Sequence, residues 1–227
     1  NNKFNKFFNI KINKINNINN INNINNINNI SNIKINNKLS PNIMKKNNKL
    51  KAISLFSGAG GDTLGMYNSN IEVIGFVEIN RDAINTHNIN FPNCKLIGED
   101  ITKIPDKIFE EYKGIDIIFG GFPCQSFSHA GKKKSDDERG FLYKHMLRAV
   151  NIIKPKIIIG ENVKGILKRK RIEGDLFKDV IINKIKQLGY KTVEPILLNM
   201  SDFNIPQERK RVFFIGSLYD INLNIPK

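Results

Sequence analysis

A thiol, a carboxylate and a pair of guanidiniums stand where each could take part in a reaction. Cys124 lies in Gly120-Gly121-Phe122-Pro123-Cys124-Gln125-Ser126-Phe127-Ser128, a polar segment that follows an apolar run. A lone cysteine is usually an inert buried residue. Here the thiol sits at the end of an expected strand and next to Pro123, an accessible and rigidly aimed setting that suits a nucleophile. Cys94, in Phe91-Pro92-Asn93-Cys94, has no such setting and reads as structural. Glu161 closes the strongly apolar run from Lys156 to Gly160 and is followed by Asn162-Val163. Desolvation there raises the carboxyl pKa and makes proton donation possible. Arg209 and Arg211, in Gln207-Glu208-Arg209-Lys210-Arg211, share a face if the chain is extended. They fit a solvated basic edge or contacts to phosphate or base.

A second group of residues suits a nucleoside ligand. Phe56-Ser57-Gly58-Ala59-Gly60-Gly61 follows the first apolar run. Its glycines let the backbone turn tightly and approach a ligand. The dinucleotide fingerprint needs glycine where Thr63 stands, so that pattern fails. A plain strand-to-helix turn explains this loop about as well as a cofactor loop does. Glu78, 18 residues beyond Gly60 and followed by Ile79, is spaced to accept hydrogen bonds from ribose hydroxyls. By itself it would be a solvated acid at a helix start. Asp100, followed by Ile101, could accept from an exocyclic amine or simply cap a turn.

These residues need a frame that brings loop ends together. From Lys51 onward, apolar runs alternate with amphipathic stretches. Strands are expected at Ala52–Ser57, Ile71–Glu78, Lys95–Gly98, Asp116–Gly121, Lys156–Glu161, Thr192–Asn199 and Arg211–Gly216. Helices are expected at Gly61–Tyr67, Asp82–Asn90, Phe141–Ile153 and Leu176–Leu188. The alternation predicts an α/β fold with a mostly parallel, seven-stranded sheet and helices on both faces. Ligands of such sheets sit beyond the carboxyl ends of the strands, which is where the candidate residues fall.

Composition adds limits. The chain has 227 residues and a net charge of +15, which suggests a polyanionic partner. Residues 1–49 contain nine lysines and no acid, and subtracting these leaves +6 for the remainder. That excess is compatible with nucleic acid without being diagnostic. Two cysteines provide no disulfide framework and no Cys-x-x-Cys metal pair, and a metal site is not expected. No apolar run is long enough to span a membrane, so no membrane partner is expected and the reading is of an intracellular protein. Residues 1–49 form an Asn/Ile-rich leader in which isoleucine recurs every third residue from Ile12 to Ile33. That period fits neither helix nor strand, so disorder is expected there. Met44 is the expected natural start, and residues 50–227 form the folded domain.

In order along the chain, these pieces resemble the DNA (cytosine-5)-methyltransferase family. The resemblance runs from about Lys51 to Ser217. It rests on the Phe-x-Gly-x-Gly-Gly loop at 56–61, Glu78, Asp100, Pro123-Cys124-Gln125, Glu161-Asn162-Val163 and Gln207-x-Arg209-x-Arg211. Asp137-Glu138-Arg139-Gly140-Phe141-Leu142 also looks like the family segment that follows a mobile catalytic loop. Phe122, Asn80 and Asn204 depart from commoner residues without removing a reactive group.

The resemblance implies a Rossmann-like, S-adenosylmethionine-dependent methyltransferase fold. It implies methyl transfer to carbon 5 of cytosine in duplex DNA, with the base flipped out. Cys124 would add covalently to the ring, Glu161 would serve nitrogen 3, Arg211 would hold the ring carbonyl, and Arg209 would support the loop. The cofactor would sit on Phe56, Gly58, Ala59, Gly60, Gly61, Glu78, Ile79, Asp100, Ile101 and Leu142, with Pro123 near its methyl end. The segment Ser126–Arg139 could close over the base, and Lys132-Lys133-Lys134 fit either phosphate contacts or a solvated run. The family's target-recognition region and closing helix are not found after the last strand. A second chain carrying the recognition region is therefore one expected partner, and apolar surface is expected near Ala52–Phe56 and the Gly61–Tyr67 helix. Two alternatives remain: a tRNA cytosine-5 methyltransferase, or an inactive cofactor-binding fragment that needs a separate recognition chain.

Overall fold

The computed structural model describes residues 49–123, 142–170, 174–192 and 194–220. The leader up to residue 48, Cys124, the Ser126–Arg139 segment and its lysines lie outside the described residues.

The apolar runs form strands because nearly every side chain in them is covered. β1 (Leu50–Leu55), β2 (Ile71–Val77), β3 (Lys95–Gly98), β4 (Ile117–Gly120) and β5 (Ile157–Val163) lie parallel to one another. β8 (Lys210–Ser217) runs antiparallel to β5 in an unbroken register from Ile157↔Ser217 to Val163↔Arg211. β6 (Lys191–Thr192) and β7 (Ile196–Asn199) pair with β8. The order along the sheet is β3-β2-β1-β4-β5-β8-β6, with β7 also on β8. The path through the sheet has seven strands, as expected, with β7 as an eighth piece paired on β8. The expected Thr192–Asn199 strand is two, separated by a stretch containing Pro195, which has no N–H to give to a ladder.

Side-chain alternation sends successive residues to opposite faces. Ile53, Leu55, Ile118 and Ile158 join the larger core. That core is closed by α3 (Asp106–Glu110), α4 (Leu142–Ile153) and α5 (Phe177–Gln187). Tyr143, Met146, Ala149, Val150 and Ile153 form the buried stripe of α4. That helix stops where Lys154 turns to φ 55° ahead of Pro155. On the other face, Ala52, Ile117, Ile157 and Ile159 pack with Met66 of α1 (Gly61–Asn68). Nearby, Ile84 of α2 (Arg81–Asn90) packs on Phe76.

The expected exposure is half met. Leu64 and Tyr67 of α1 are exposed, at 50% and 67%. Ala52, Ile53 and Leu55 are fully buried, because they lie on a central strand flanked by β2 and β4, with Met66 over Ala52.

β1 has β2 on one side and β4 on the other, and the chain order reverses there. A reversal of this kind opens a crevice beyond the strands' carboxyl ends. Leu55 and Gly120 are register partners on its two sides.

Candidate functional site

Two loops leave this crevice. The first, from Phe56 to Gly60, needs backbone angles that favour glycine: φ is 60° at Phe56, 55° at Gly58 and 93° at Gly60. Ser57 N donates to Val77 O (3.1 Å) and Gly60 N to Ser57 O (3.0 Å), so the loop is tied to the end of β2 and to itself. A Cβ placed on Gly58 or Gly61 would meet nothing within 4 Å. The loop therefore leaves open space beside its backbone, a cradle that a ligand can enter.

Glu78 closes the far side of that cradle. Its Oε2 accepts from Gly58 N at 2.8 Å, and its Oε1 accepts from Ile79 N (2.9 Å) and Asn80 N (2.8 Å). A carboxylate offers about four lone-pair directions, so three amides leave room for roughly one more donor. Asn80 in turn caps α2 through Ala83 N at 3.0 Å. Ile79 is 66% exposed at the cradle's edge.

Asp100 Oδ1 accepts from Thr102 N (3.0 Å) and Thr102 Oγ1 (2.7 Å), and Lys103 Nζ lies 3.6 Å from Oδ2. The Thr102 hydroxyl first, with Lys103 adding to it, holds this carboxyl below the usual aspartate range. The turn-capping role is thus filled by one oxygen, while the other is engaged, among the described residues, by an exposed lysine. Ile101 is a core side chain, and its carbonyl accepts from Arg148 Nη2 at 2.8 Å. Any contact from Ile101 to a ligand would therefore run through what remains of its backbone. Phe56 and Leu142 pack against the larger core from its edge.

The second loop, Gly121-Phe122-Pro123, leaves β4 toward Cys124. Glu161 stands over it from the end of β5. A Cβ on Gly121 would lie 3.5 Å from Glu161 Oε2 and 4.0 Å from Phe56 O, so the two loops and the acid converge. Arg211 Nε donates to Glu161 Oε1 at 2.8 Å. Burial raises the Glu161 carboxyl above its ordinary value, opposed by the charges of Arg211 and Arg209. Arg211 also donates from Nη1 to Lys210 O (2.9 Å). Arg209 is exposed, and its backbone is held by Asn199 Oδ1 at 3.1 Å.

The crevice thus gathers Phe56, Gly58, Ala59, Gly60, Gly61, Glu78 and Ile79 on one flank and Pro123, Glu161 and Arg211 on the other. Asp100 lies at the β3 end of the same edge.

Some roles were missed by sequence reasoning, among them that of Asn162, which entered only as part of a motif. Asn162, almost fully buried, donates from Nδ2 to Phe122 O at 2.9 Å and accepts from Val163 N at 2.8 Å. It straps the loop leading to Cys124 onto β5. Its place directly after Glu161, where an apolar run turns polar, was the available signal. Beneath the glycine loop, Ser54 Oγ donates to Asp62 Oδ2, and Thr63 Oγ1 meets His87 Nε2 at 3.0 Å. These pairs join residues that are far apart in sequence or on opposite sides of a loop, so spacing could not reveal them. Among the described residues, no group of three His, Cys, Asp or Glu side chains could hold a metal ion. No described helix is long and apolar enough to cross a membrane.

Comparison with known proteins gives a consistent picture. Residues 50–227 match the family model for C-5 cytosine-specific DNA methylase. Type II methyltransferase M.DdeI of Desulfomicrobium norvegicum is 38% identical over 176 residues, covering 77% of this chain and 42% of its own. Type II methyltransferase M.FnuDI of Fusobacterium nucleatum is 39% identical over 176 residues, covering 77% and 49%. The chain spans just under half the length of these relatives. Among solved structures, an E. coli prophage protein provisionally described as a DNA modification methyltransferase has a TM-score of 0.64 at 37% identity, covering 74% of this chain and 47% of that one. The S. pombe Dnmt2 methyltransferase has a TM-score of 0.60 at 24% identity, a likeness of fold alone, covering 76% and 52%. The Rossmann-like α/β architecture is that of these methyltransferases.

Proposed function

The chain belongs to the C-5 cytosine-specific DNA methylase family, and from that premise we propose that it supplies the catalytic half of an enzyme methylating carbon 5 of cytosine in duplex DNA. The observation that carries this reading is the convergence of the Gly121-Phe122-Pro123 loop, Glu161 and Arg211 beside an open glycine cradle at the point where strand order reverses.

The cradle fits S-adenosylmethionine as methyl donor. The open space at Gly58 and Gly61 admits the ligand against the backbone. Glu78 retains about one acceptor direction for a ribose hydroxyl, and Asp100 Oδ2, with Oδ1 taken up by Thr102, would accept from an amine. When bound, the cofactor supplies an electrophilic methyl group.

Carbon 5 of cytosine is too weak a nucleophile to take that methyl unaided. Addition of the Cys124 thiolate to carbon 6 forms a C–S bond and moves an electron pair toward carbon 5. Glu161 offers a proton to nitrogen 3, where negative charge would otherwise build up. Its raised pKa favours holding that proton, and its Oε2 faces the loop that leads to Cys124. Arg211 orients Glu161 through Oε1, and it would hold the ring carbonyl. Asn162 fixes Phe122 O, and so the course of the chain into Pro123. After methyl transfer, loss of the carbon 5 proton restores the ring double bond and expels the thiolate, and nitrogen 3 returns its proton to Glu161. No residue is assigned as the base for that proton.

Sequence is read by side chains that reach base edges, whereas phosphate contacts only position the protein. Because the relatives extend to about twice the matched length, we place base recognition in a region outside residues 50–220, carried on the same polypeptide or on a second chain. The exposed Leu64 and Tyr67 of α1 offer such a region a place to pack.

The test is covalent trapping. A duplex with 5-fluorocytosine at the target cannot lose a proton from carbon 5, so the adduct persists. With the cofactor present, the chain should form a denaturation-resistant complex through Cys124, in company with a recognition region if one is required. Labelled methyl transfer to tRNA in preference to duplex DNA, or a trapped adduct at another residue, would reject the assignment.

A further inference from the structure

We infer that His87 is a positioning residue for the cofactor loop, forming with buried Thr63 and partly buried Phe91 a floor that sets the turn at Gly60. The inference rests on the reading of that loop as the methyl donor's cradle.

His87 lies in the last turn of α2 and is completely buried. Its ring stacks on Phe76 at 3.7 Å between centroids and 16° between planes, and Phe91 tilts against it at 5.1 Å. Gly60 rests directly on these rings. A Cβ there would come within 2.6 Å of Phe91 Cε2 and 2.8 Å of His87 Cδ2. The same residue holds φ at 93°, which disfavours any side chain. Three residues further on, buried Thr63 meets His87 Nε2 at 3.0 Å. The glycine turn is thus pressed on the ring at one point and tied to it at the next.

Hydrogen bonds carry the position of Gly60 into the cradle. Gly60 N donates to Ser57 O, Leu64 N donates to Gly60 O, and the neighbouring Gly58 N donates to Glu78. A shift of the floor must therefore move the loop and its acid together. Simple packing of α2 on β2 would be served by an apolar ring of the same size. Instead the site buries an imidazole, leaving Nδ1 without a hydrogen-bond partner among the described residues. Burying a polar group in this way has a cost, which the tie to Thr63 offsets only at the other nitrogen. Burial also lowers the pKa of His87, so the ring stays neutral against Phe76.

The test uses the full chain and S-adenosylhomocysteine, the demethylated cofactor, as probe. Calorimetric affinity is measured well below the melting temperature, and the melting temperature of the ligand-free protein is recorded for each variant. His87→Ala should weaken binding by roughly tenfold to a hundredfold, by analogy with the range seen when a group that orients metal-ligating residues is removed. His87→Phe, which keeps a ring beneath Gly60 but removes the tie to Thr63, should recover only part of that loss. Thr63→Val should weaken binding less than His87→Ala does. A structural role alone would lower the melting temperature of His87→Ala and leave its affinity at the parent value, and that result overturns the inference. Should His87→Ala fail to fold, Thr63→Val decides: parent-like affinity overturns the inference and weaker affinity supports it. Failure of the unmutated chain to bind the probe would instead remove the cradle reading on which the inference depends.

Discussion

Asp62 places a carboxyl group beneath the glycine loop, where Ser54 Oγ donates to one oxygen and the other is buried without a partner among the described residues. Burial, its largest influence, pushes the group up from 3.8 to about 6, against the Ser54 hydrogen bond. The folded protein therefore keeps a proton that the unfolded chain releases between these values. The stability linked to Asp62 is complete below the unfolded value and is lost as pH rises through about 6. Asp62→Asn keeps an acceptor for Ser54 without the charge. Its melting temperature should exceed the parent's near neutral pH, and the gap should close in acid. A gap independent of pH in parallel melts would show that the carboxyl is not strained by burial. In the cradle, Glu78→Ala and Asp100→Ala should each weaken cofactor binding. Losing a hydrogen bond to a charged acceptor typically costs on the order of 1.5–3 kcal/mol. Glu78→Ala should cost more, because it also releases the Gly58, Ile79 and Asn80 amides. Calorimetry showing both variants at parent affinity would rule out the pocket. Cys124→Ser should abolish methyl transfer while cofactor binding stays near the parent's, because thiol and cradle belong to different loops. Turnover close to the parent rate in a labelled-methyl assay would exclude Cys124 as nucleophile.

At the scale of elements, the Asn162 bridge decides whether β4 and β5 deliver their loops together. Asn162→Ala leaves Phe122 O buried and unpaired, a loss of about 1–3 kcal/mol. Denaturant unfolding should show it, and turnover should fall further than cofactor affinity does. Equal losses in both would mean that the bridge serves only stability. The elements themselves were largely legible. Ile71–Val77, Lys95–Gly98, Gly61–Asn68 and Leu142–Ile153 lie within a residue of their expected bounds. Each carries one clear period and a clear stop. The expected Thr192–Asn199 strand divides because its apolar pattern masked the effect of Pro195. Asp106–Glu110 went unread because five residues hold too little periodicity to detect. Charged groups at strand ends could be listed from the sequence, but their partners could not. Arg211 finds Glu161 only after β8 has folded back beside β5, a pairing across 50 residues that no local pattern encodes. Ser54–Asp62 and Thr63–His87 were hidden for the same reason.

On the scale of the whole molecule, the sheet presents the candidate chemistry along one edge, while the reading of bases is placed in a region beyond it. The purified 227-residue chain should therefore incorporate little label into duplex DNA at specific sequences, and adding a chain with the relatives' remaining region should restore it. Robust site-specific methylation by this chain alone would show that recognition lies within it. The long antiparallel seam between β5 and β8 has a further consequence, for the kinds of length change the gene can accept. Seven consecutive partners hold Arg211 opposite Val163, and side chains alternate with parity along the strand. Codons added to the connection between β7 and β8 would lengthen a surface excursion and leave that parity untouched. One codon added between Arg211 and Ser217 would turn the guanidinium away from Glu161 to the opposite face, with every charge in the site still encoded. Insertions that survive selection should therefore gather in the 200–209 connection, and single-residue insertions in the strand should behave like loss of Arg211 itself.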